Sequence, residues 1–539
     1  MATARAATPA PVMEEESPVF HPRAHAQTSP DKAACIFADA TAGQPPVLTY
    51  AALEAAANQG AQALRRLGLA RGDVIAVMLH NTAEVFTIGW AAERSGLYLT
   101  SISTRLSPAD AAYIVADSGA KLLVVADALA PLAAQVAQLL AAQGTAVTVL
   151  LTGAGGNGLP GWAPLVEAMP AAPVGDESPG TDMLYSSGTT GRPKGVKPAL
   201  PDGVLGDPTP LVNMGQALYG MAADTVYLST SPLYHAAPLR WAMTIHRLGG
   251  TVVVMDKFDA LAALALVERW RVTHGTWVPT HFVRLLKLDP AQRARHDLSS
   301  LRAAIHAGAP CPVTVKQAMI DWWGPIVHEY YSGTETCGIT ALSAAEWLSH
   351  PGSVGRAVLG EVHILDDDGH ELPIGTPGNV YFANGPAFAY HNDPAKTAAA
   401  LSPQGWATLG DIGYLDADGF LYLTDRKHFM IISGGVNIYP QEIENLLIGH
   451  DAVADVAVVS APDVDLGEVA VAVIQPAPGT VADDALAASL TAFARAGLGA
   501  IKTPKRILFR DTLPREPTGK LMKASLIAEL RAAAPPNPR

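Results

Sequence analysis

Short apolar runs alternate with helix-forming stretches along the first part of the chain. The runs have no regular polar position, which is typical of strands buried on both faces: residues 74–79, 122–126 and 146–151. Residues 49–67 are instead rich in alanine and leucine, and Gly68 follows them, which predicts a helix that ends there. Ser107-Pro108-Ala109-Asp110 predicts another helix start, with a capping hydroxyl, a proline in the first turn and an acid at the third position. The alternation predicts an α/β fold with largely parallel sheets.

The same apolar pattern continues through the middle of the chain, and a different order of strands and helices follows near the carboxyl end. It predicts further buried strands at residues 251–255, 276–278, 303–306 and 327–331. Asp416-Ala417-Asp418-Gly419 lies between two apolar stretches and predicts a hairpin turn. Beyond it, Pro440 predicts a helix start. A small α+β domain should follow, with strands at 453–459, 469–474 and 507–509 and a helix at 485–498.

Size, charge and cysteine content narrow the class of protein. A chain of 539 residues is too long for one core, so at least two domains are expected. The net charge of −13 argues against nucleic acid as a partner. Cys35, Cys311 and Cys337 are too few and too scattered for a disulfide framework or a zinc site, which favours a cytoplasmic location. No apolar run is long enough to cross a membrane.

The first residues have no predicted role in the fold. Residues 1–18 contain alanine, proline and an acidic run, without the apolar stretch of a secretory signal. We expect a mobile tail that reaches residue 29.

The stretch 185–195 carries the strongest chemical signal. Glycines allow the backbone to turn tightly so that its N–H groups converge on an anion, and hydroxyls and cations add to that attraction. The sequence predicts a polyphosphate-binding loop made of Ser186, Ser187, Gly188, Thr189, Thr190, Gly191, Arg192, Lys194 and Gly195. The residue after Lys194 is glycine, so the loop is not the phosphate loop of P-loop kinases. A flexible linker is the alternative, but linkers rarely end in Arg-Pro-Lys-Gly.

Two other features are less specific on their own. Glu335, in Ser332-Gly333-Thr334-Glu335, follows a predicted strand and is locally a surface residue at a strand end, although its carboxylate suits a hard divalent cation. No Asp or Glu stands between Pro232 and Leu248. An apolar acid therefore suits that segment better than an amino acid, whose ammonium group would need a buried partner.

These motifs resemble those of the ANL superfamily of adenylate-forming enzymes, most closely bacterial acyl-CoA synthetases of the fatty-acid and 4-coumarate type. The resemblance extends from about residue 30 to residue 523. It implies a large N-terminal domain of α/β layers with a β-rich subdomain, residues 30–425, and a C-terminal lid domain, residues 426–539. The lid would turn about His428, where the family usually has Asp or Lys.

The resemblance also implies nucleotide and metal contacts. Tyr331 would stack on adenine beside Gly308, Ala309 and Pro310, and Thr334 would contact the α-phosphate. Asp411 would accept both ribose hydroxyls, and Arg426 would contact ribose or phosphate. Glu335 and Thr189 would hold Mg²⁺. Ser332 departs from the family, which has glycine after the tyrosine.

The remaining implied roles concern the acid and the thiol. His235 would lie at the mouth between the acyl pocket and the thiol tunnel, and Gly434 and Gly435 would line that tunnel. Lys520 would bridge the carboxylate and the α-phosphate during adenylation. The resemblance and the apolar sequence predict pocket walls at Ala236, Trp241, Met243 and Val278.

The implied activity is an acid–thiol ligase that uses ATP, Mg²⁺ and coenzyme A and acts on a small-molecule carboxylic acid. Fatty or related aliphatic acids are the first expectation, and aromatic or cinnamate-type acids are the alternative. Transfer to a carrier protein, luciferase-like oxidation and a catalytically silent nucleotide-binding protein also remain open. The family contains monomers and homodimers.

Overall fold

The structure of the chain is a computed structural model. It describes residues 19–38, 45–186, 193–426, 429–434, 436–515 and 521–532. The predicted site residues outside these ranges are Ser187, Gly188, Thr189, Thr190, Gly191, Arg192, His428, Gly435 and Lys520.

The described strands belong to six sheets. In chain order they are β1 Ala33–Ala38, β2 Val47–Thr49, β3 Val74–Met78, β4 Tyr98–Ser101, β5 Ala120–Val125, β6 Thr148–Leu151, β7 Gly155–Gly156, β8 Leu159–Pro160, β9 Thr181–Asp182, β10 Leu184–Ser186, β11 Lys194–Lys197, β12 Val226–Ser229, β13 Thr251–Met255 and β14 His274–Trp277. They continue with β15 Ala303–His306, β16 Val327–Tyr331, β17 Ile339–Leu342, β18 Arg356–Leu359, β19 Glu361–Leu365, β20 Gly378–Ala383, β21 Ala389–Tyr390, β22 Ala407–Leu415, β23 Leu421–Arg426, β24 Ile431–Ser433, β25 Val436–Ile438, β26 Val453–Asp463, β27 Gly467–Pro476 and β28 Arg506–Phe509.

The described helices connect these strands. They are α1 Pro22–Thr28, α2 Tyr50–Arg66, α3 Ala83–Arg94, α4 Pro108–Ser118, α5 Ala130–Ala142, α6 Trp162–Glu167, α7 Pro210–Tyr219, α8 Ala236–Leu248, α9 Ala260–Trp270, α10 Pro279–Leu286, α11 Pro290–Arg293, α12 Val313–Trp323, α13 Ala344–Ser349, α14 Pro394–Ala399, α15 Pro440–Leu447, α16 Asp484–Lys502 and α17 Lys523–Ala532, with a 3₁₀ turn at Asp127–Leu129. Within the described ranges, no helix has both the length and the apolar character that a membrane span requires.

Two large sheets form the N-terminal domain. One has nine strands in the order β18-β17-β16-β15-β14-β12-β13-β1-β2, and the other has five in the order β6-β5-β3-β4-β9. The five-stranded sheet is parallel throughout, and the nine-stranded sheet is parallel from β16 to β1 with antiparallel strands at both ends. The predicted α/β class with largely parallel sheets is confirmed.

The two sheets share a layer of helices. Val252 and Val254 of β13 lie in the same buried cluster as Ile75 and Val77 of β3, together with residues of α2, α3 and α8. The intervening residue Val253 lies in a different cluster, with α9, α10 and α12. Successive strand residues point to opposite faces, and both faces are covered, which is why these strands are continuous apolar runs in the sequence.

The amino end of the described chain belongs to this domain. His21 is 1% exposed and caps α1, and Arg23 forms an ion pair with Glu177. Residues 21–28 therefore contact the fold on the amino side of the boundary expected at residue 30. The composition of residues 21–28 did not indicate that they pack into the fold, because α1 is held by contacts with residues far away in the chain.

Smaller sheets follow. The β-rich part contains a four-stranded antiparallel sheet, β19-β20-β22-β23, and a three-stranded sheet, β10-β11-β21. The β22–β23 hairpin turns at Asp416, whose carboxylate accepts hydrogen bonds from the amides of Asp418 and Phe420, as the sequence predicts. Strand β23 ends at Arg426, and a separate sheet begins at Ile431 with the order β25-β24-β27-β26 and β28 beside β27. Helices α15 and α16 pack on that sheet, so the small α+β domain is confirmed.

Candidate active site

The predicted phosphate loop is framed by a hairpin. Strands β10 and β11 are antiparallel, with Ser186 opposite Lys194, and residues 187–192 between them lie outside the described ranges. The ammonium group of Lys194 lies 5.1 Å from the centre of the Tyr390 ring. Burial and the nearby Lys396 ammonium group lower the pKa of Lys194 to about 8. Burial removes part of the water that would stabilise the charged form of this lysine. A bound polyanion would stabilise that charged form instead.

The loop after β16 holds Thr334 and Glu335. The Ser332 hydroxyl donates a 2.8 Å hydrogen bond to the Gly338 carbonyl, so this departure from the family pattern is accommodated within the loop. Thr336 has φ of +55°, a left-handed conformation that threonine rarely adopts, and its hydroxyl donates to the Thr334 carbonyl at 3.2 Å. The strained turn is therefore stabilised locally, as is common in functional loops.

Arg240 of α8 contacts this loop and also Asp182, which lies outside it. It forms a two-pronged ion pair with Asp182, with both N–O distances 2.7 Å, and one nitrogen lies 3.4 Å from the Thr334 carbonyl. Asp182 stands four residues before Ser186, so one guanidinium group links the phosphate hairpin to the Glu335 loop. Sequence reasoning missed this pair because its members are far apart in the chain.

Glu335 is half-buried, and its carboxylate is oriented by Tyr390. The Tyr390 hydroxyl donates a 2.8 Å hydrogen bond to Oε1 of Glu335. A carboxylate oxygen is the donor type that Mg²⁺ prefers, so Glu335 suits the predicted metal role. Thr189, the other predicted ligand, lies outside the described residues.

The proposed adenine contacts follow adjacent parallel strands. Strands β14, β15 and β16 are neighbours, and Val278, Gly308 and Tyr331 lie at or just beyond their carboxyl ends. Gly308 has φ of +84°, and a Cβ there would lie 3.8 Å from Cγ1 of Val278. Ala309 is half-buried, and Gly308 and Pro310 are exposed. Ligands of open α/β sheets bind at this edge, so a flat base has access to the turn.

The ribose candidate lies beside the base candidate. Asp411 is 6% exposed, and its Oδ2 accepts a 2.6 Å hydrogen bond from the Tyr331 hydroxyl. Arg426 pairs with Asp411 across the β22–β23 ladder. Residues predicted from three separate motifs therefore meet at one place.

The predicted acyl-pocket residues divide into two groups. Ala236 and Val278 are half-buried, and His235 precedes α8 with its ring 4.6 Å from that of Tyr234. Trp241, by contrast, is 1% exposed and donates a 3.2 Å hydrogen bond to the Tyr330 hydroxyl. Trp241 is therefore covered by the protein itself, and its place in the pocket wall stays a prediction.

Met243 lies with Trp241 rather than with Ala236. It packs partly buried against the same core, 3.9 Å from the position of a Cβ on Gly89. Ala236 and Met243 are seven residues apart and share a face of α8, so the division follows position along the helix: Ala236 stands at its amino end, and Met243 lies two turns further on, against the core.

A neutral histidine stands two residues beyond Pro279. His281 is 5% exposed and stacks on Phe258 with the ring centres 3.7 Å apart. Burial lowers its pKa to about 3. It is therefore uncharged at neutral pH and adds no ion next to Val278.

The C-terminal domain holds both ends of the segment that contains Lys520. Arg515 pairs with Asp455 at 2.5 and 2.7 Å and bridges through its backbone to Leu521. Lys523 forms a buried 2.8 Å ion pair with Glu444. Residues 516–520 lie outside the described ranges. The residues on either side of them are held by two ion pairs, Arg515 with Asp455 and Lys523 with Glu444.

Gly434 has a conformation that explains its residue type. Its φ is +56°, its amide donates to the Leu466 carbonyl at 2.9 Å, and a Cβ would lie 3.1 Å from the Leu466 side chain. Ile432 and Val436 beside it are exposed, at 52% and 43%. An apolar surface next to a side-chain-free turn can accept a narrow apolar ligand.

Comparisons with known proteins identify the family to which the chain belongs. Residues 22–389 match the family of AMP-binding enzymes, and residues 442–520 match the AMP-binding enzyme C-terminal domain. The long-chain-fatty-acid–CoA ligase FadD13 of Mycobacterium tuberculosis is 31% identical over 500 residues, which cover 90% of this chain and 94% of that protein. The indoleacetate–CoA ligase of Aromatoleum aromaticum is 34% identical over 511 residues, covering 93% and 95%.

A solved structure is similar over almost the whole chain. The anthranilate CoA ligase AuaEII, in complex with anthranoyl-AMP, superposes with a TM-score of 0.82 and covers 95% of this chain and 96% of its own, at 23% identity. At this identity the likeness establishes the fold.

Proposed function

Because the chain belongs to the family of AMP-binding enzymes, we propose that it is an ATP-dependent acid–thiol ligase that forms an acyl adenylate and then an acyl-CoA. The observation that carries the proposal is a pair of contacts: Tyr390 joins Lys194 to Glu335, and Tyr331, four residues before Glu335, donates a hydrogen bond to Asp411. Apart from Tyr390, each of these residues has the chemistry for a different part of ATP: phosphate, metal, base and ribose.

The first half-reaction joins the acid to AMP. A substrate carboxylate oxygen attacks the α-phosphorus, the bond to the β-phosphate oxygen breaks, and pyrophosphate leaves. Negative charge gathers on the phosphates in this step, and Lys194 and Lys520 would stabilise it. Glu335 would hold Mg²⁺, which offsets triphosphate charge when bound.

The second half-reaction transfers the acyl group. The thiol of coenzyme A attacks the acyl carbonyl, loses its proton, and AMP leaves. The C-terminal domain would turn about residues near His428 to remove Lys520 and present Gly434 and Gly435 to the pantetheine arm. The exposed Ile432 and Val436 side chains support an apolar contact at that position.

We propose fatty or related aliphatic acids as the substrate class. Support comes from the FadD13 similarity and from the absence of acidic residues along α8. Aromatic acids are the alternative, favoured by the similarity to indoleacetate–CoA ligase. In either case the acid is apolar, and neutral His281 is consistent with this.

The test is a pyrophosphate-release screen with ATP and acids of increasing chain length, alongside indole-3-acetate and 4-coumarate. We expect release with at least one apolar acid, AMP as the spent nucleotide, and an acyl-CoA once coenzyme A is added. Lys520→Ala should lower pyrophosphate release by at least about a hundredfold. Lys505→Ala, at an exposed lysine of the same domain, is the matched control and should retain the wild-type rate.

Two results would contradict the proposal. ADP as the product would exclude adenylation altogether. ATP binding without turnover across the whole panel would leave a silent nucleotide-binding protein. Activity that requires a phosphopantetheinylated carrier rather than free coenzyme A would redirect the second half-reaction.

A further inference from the structure

Tyr390 is fixed by its surroundings before any ligand binds. It belongs to the short strand β21, where it pairs with Val196 of β11, the strand that begins with Lys194. Its amide donates a 2.9 Å hydrogen bond to the Thr397 hydroxyl, and its ring meets the Phe388 ring edge-on at 5.3 Å. With 9% of its surface exposed, it is part of the core below the phosphate hairpin.

Its side chain contacts two residues of the active site that are remote from each other in sequence. The hydroxyl donates to Oε1 of Glu335 at 2.8 Å, and the ring lies 5.1 Å from the Lys194 ammonium group. The hydrogen bond to an ionised carboxylate is of the strong class. The ring presents its negative π system to the cation, which stabilises the ammonium group there.

The second oxygen of Glu335 lies in a different environment. A Cβ on Gly333 would come within 2.6 Å of Oε2, so this oxygen lies against the backbone of Gly333. Among the residues that the structure describes, none donates a hydrogen bond to Oε2. Tyr390 thus occupies one oxygen of the carboxylate, and the other keeps its lone pairs for a cation.

We propose that Tyr390 is a positioning residue that couples the metal ligand to the phosphate-binding lysine. Its hydroxyl sets the orientation of the Glu335 carboxylate toward a divalent cation, and its ring holds the Lys194 ammonium group toward the phosphates. The inference rests on the proposed function, because it assumes that both residues serve a metal–nucleotide complex.

The two contacts can be separated by two variants. Tyr390→Phe removes the hydroxyl and keeps the ring, whereas Tyr390→Leu removes both. Metal binding is measured as Mn²⁺ bound in the presence of a non-hydrolysable ATP analogue, from the loss of the free-ion electron paramagnetic resonance signal. Nucleotide binding is measured separately, by calorimetry with the same analogue in the presence of EDTA.

We expect Tyr390→Phe to weaken Mn²⁺ binding by about tenfold, the effect of one hydrogen bond to a charged group, and to leave metal-free nucleotide binding unchanged. Tyr390→Leu should weaken Mn²⁺ binding equally and also weaken metal-free nucleotide binding by at least about threefold. In a Glu335→Gln background, Tyr390→Phe should have no further effect on Mn²⁺, because the pair acts as a unit.

Tyr98→Phe is the matched control. Tyr98 is buried, its ring lies 4.9 Å from the Lys197 ammonium group at the far end of β11, and its hydroxyl donates at 2.9 Å to the Pro198 carbonyl. It therefore makes the same kinds of contact away from Glu335. We expect wild-type values in both assays.

The outcomes distinguish this inference from the proposed function. Wild-type Mn²⁺ binding by Tyr390→Phe, or an equal loss in Tyr98→Phe, would overturn the role of the hydroxyl. Wild-type nucleotide binding by Tyr390→Leu would overturn the role of the ring. Failure of the wild-type protein to release pyrophosphate with any acid would instead count against the function, whatever the Tyr390 variants bind.

Discussion

The hydroxyl of Tyr331 donates a 2.6 Å hydrogen bond to Oδ2 of Asp411. The two residues belong to different sheets: Tyr331 ends β16 of the nine-stranded sheet, and Asp411 lies within β22 of the antiparallel sheet. The bond therefore joins the main α/β part of the domain to its β-rich part at the nucleotide site. It also orients the carboxylate proposed to bind ribose by means of the residue proposed to contact the base.

This arrangement predicts that Asp411→Asn raises the KM for ATP by at least about tenfold, because the amide replaces the charged group proposed to accept the ribose hydroxyls. Initial rates of pyrophosphate release against ATP concentration measure the effect. Wild-type protein should lose affinity for 3′-deoxy-ATP relative to ATP, and the variant should discriminate much less. Asp418→Asn, on the exposed hairpin turn, is the control. Equal discrimination by the variant and the wild type would refute the ribose contact.

Lys194 predicts a pH dependence of ATP binding. Its pKa of about 8 means that the free protein loses this positive charge as the pH rises through 8. Only the charged form attracts phosphate, so kcat/KM for ATP should fall above pH 8, by up to about tenfold per pH unit. The measurement is kcat/KM for ATP between pH 6.5 and 9.5 at saturating acid.

Lys194→Arg separates this lysine from other groups that titrate. A guanidinium group stays protonated throughout the range, so the variant should lack the decline above pH 8. Persistence of the same decline in the variant would assign it to another residue.

The buried carboxylate of Glu93 should stabilise the N-terminal segment in a way that depends on pH. It pairs with Arg247 at 2.7 Å and lies 3.6 Å from the imidazole of His21. Burial alone would raise its pKa, but Arg247 and His21 outweigh burial and lower it to about 2. The pKa is lower in the folded state, so the stabilisation is complete above the unfolded value of 4.5 and is lost as pH falls toward 2.

Glu93→Gln should therefore lower the free energy of unfolding at pH 7 by about 3 kcal/mol, because Arg247 is left without its charged partner. Urea unfolding followed by circular dichroism measures the loss, which should shrink as the pH is lowered below 4.5. Glu529→Gln removes the exposed partner of Arg510 and should cost less than about 1 kcal/mol. A similar cost in both variants would contradict the argument.

What could be predicted from the sequence depended on whether the signal was local. Strands 251–255 and 327–331 have the predicted bounds, and Ser107 caps α4, because apolar runs and capping residues act over a few positions. The pairs Arg240–Asp182 and Tyr390–Glu335 gave no signal, since only the fold brings their members together.

Other contacts gave no signal for the same reason. Trp241 has apolar neighbours in the sequence, but the sequence does not show that Tyr330 accepts a hydrogen bond from its indole N–H. Likewise, His21 is polar and close to the chain end, and its burial against Glu93 depends on contacts from α3 and α8.

Lys287 forms hydrogen bonds between the two domains. It follows α10 in the N-terminal domain, and its ammonium group donates to the Val453 and Ala454 carbonyls of the C-terminal domain at 3.1 and 2.7 Å. Lys287→Met should weaken this contact by about 1 kcal/mol, which is a modest value because the lysine is partly exposed. Trypsin should then cleave the variant at Arg426 or Lys427 about fivefold faster than the wild type. The ratio of pyrophosphate release to thioester formation should change in parallel, because in the proposed mechanism each half-reaction uses a different orientation of the C-terminal domain. Lys287→Arg keeps a cationic donor and should behave as wild type. Unchanged cleavage and an unchanged ratio in Lys287→Met would show that this contact does not control the domain orientation.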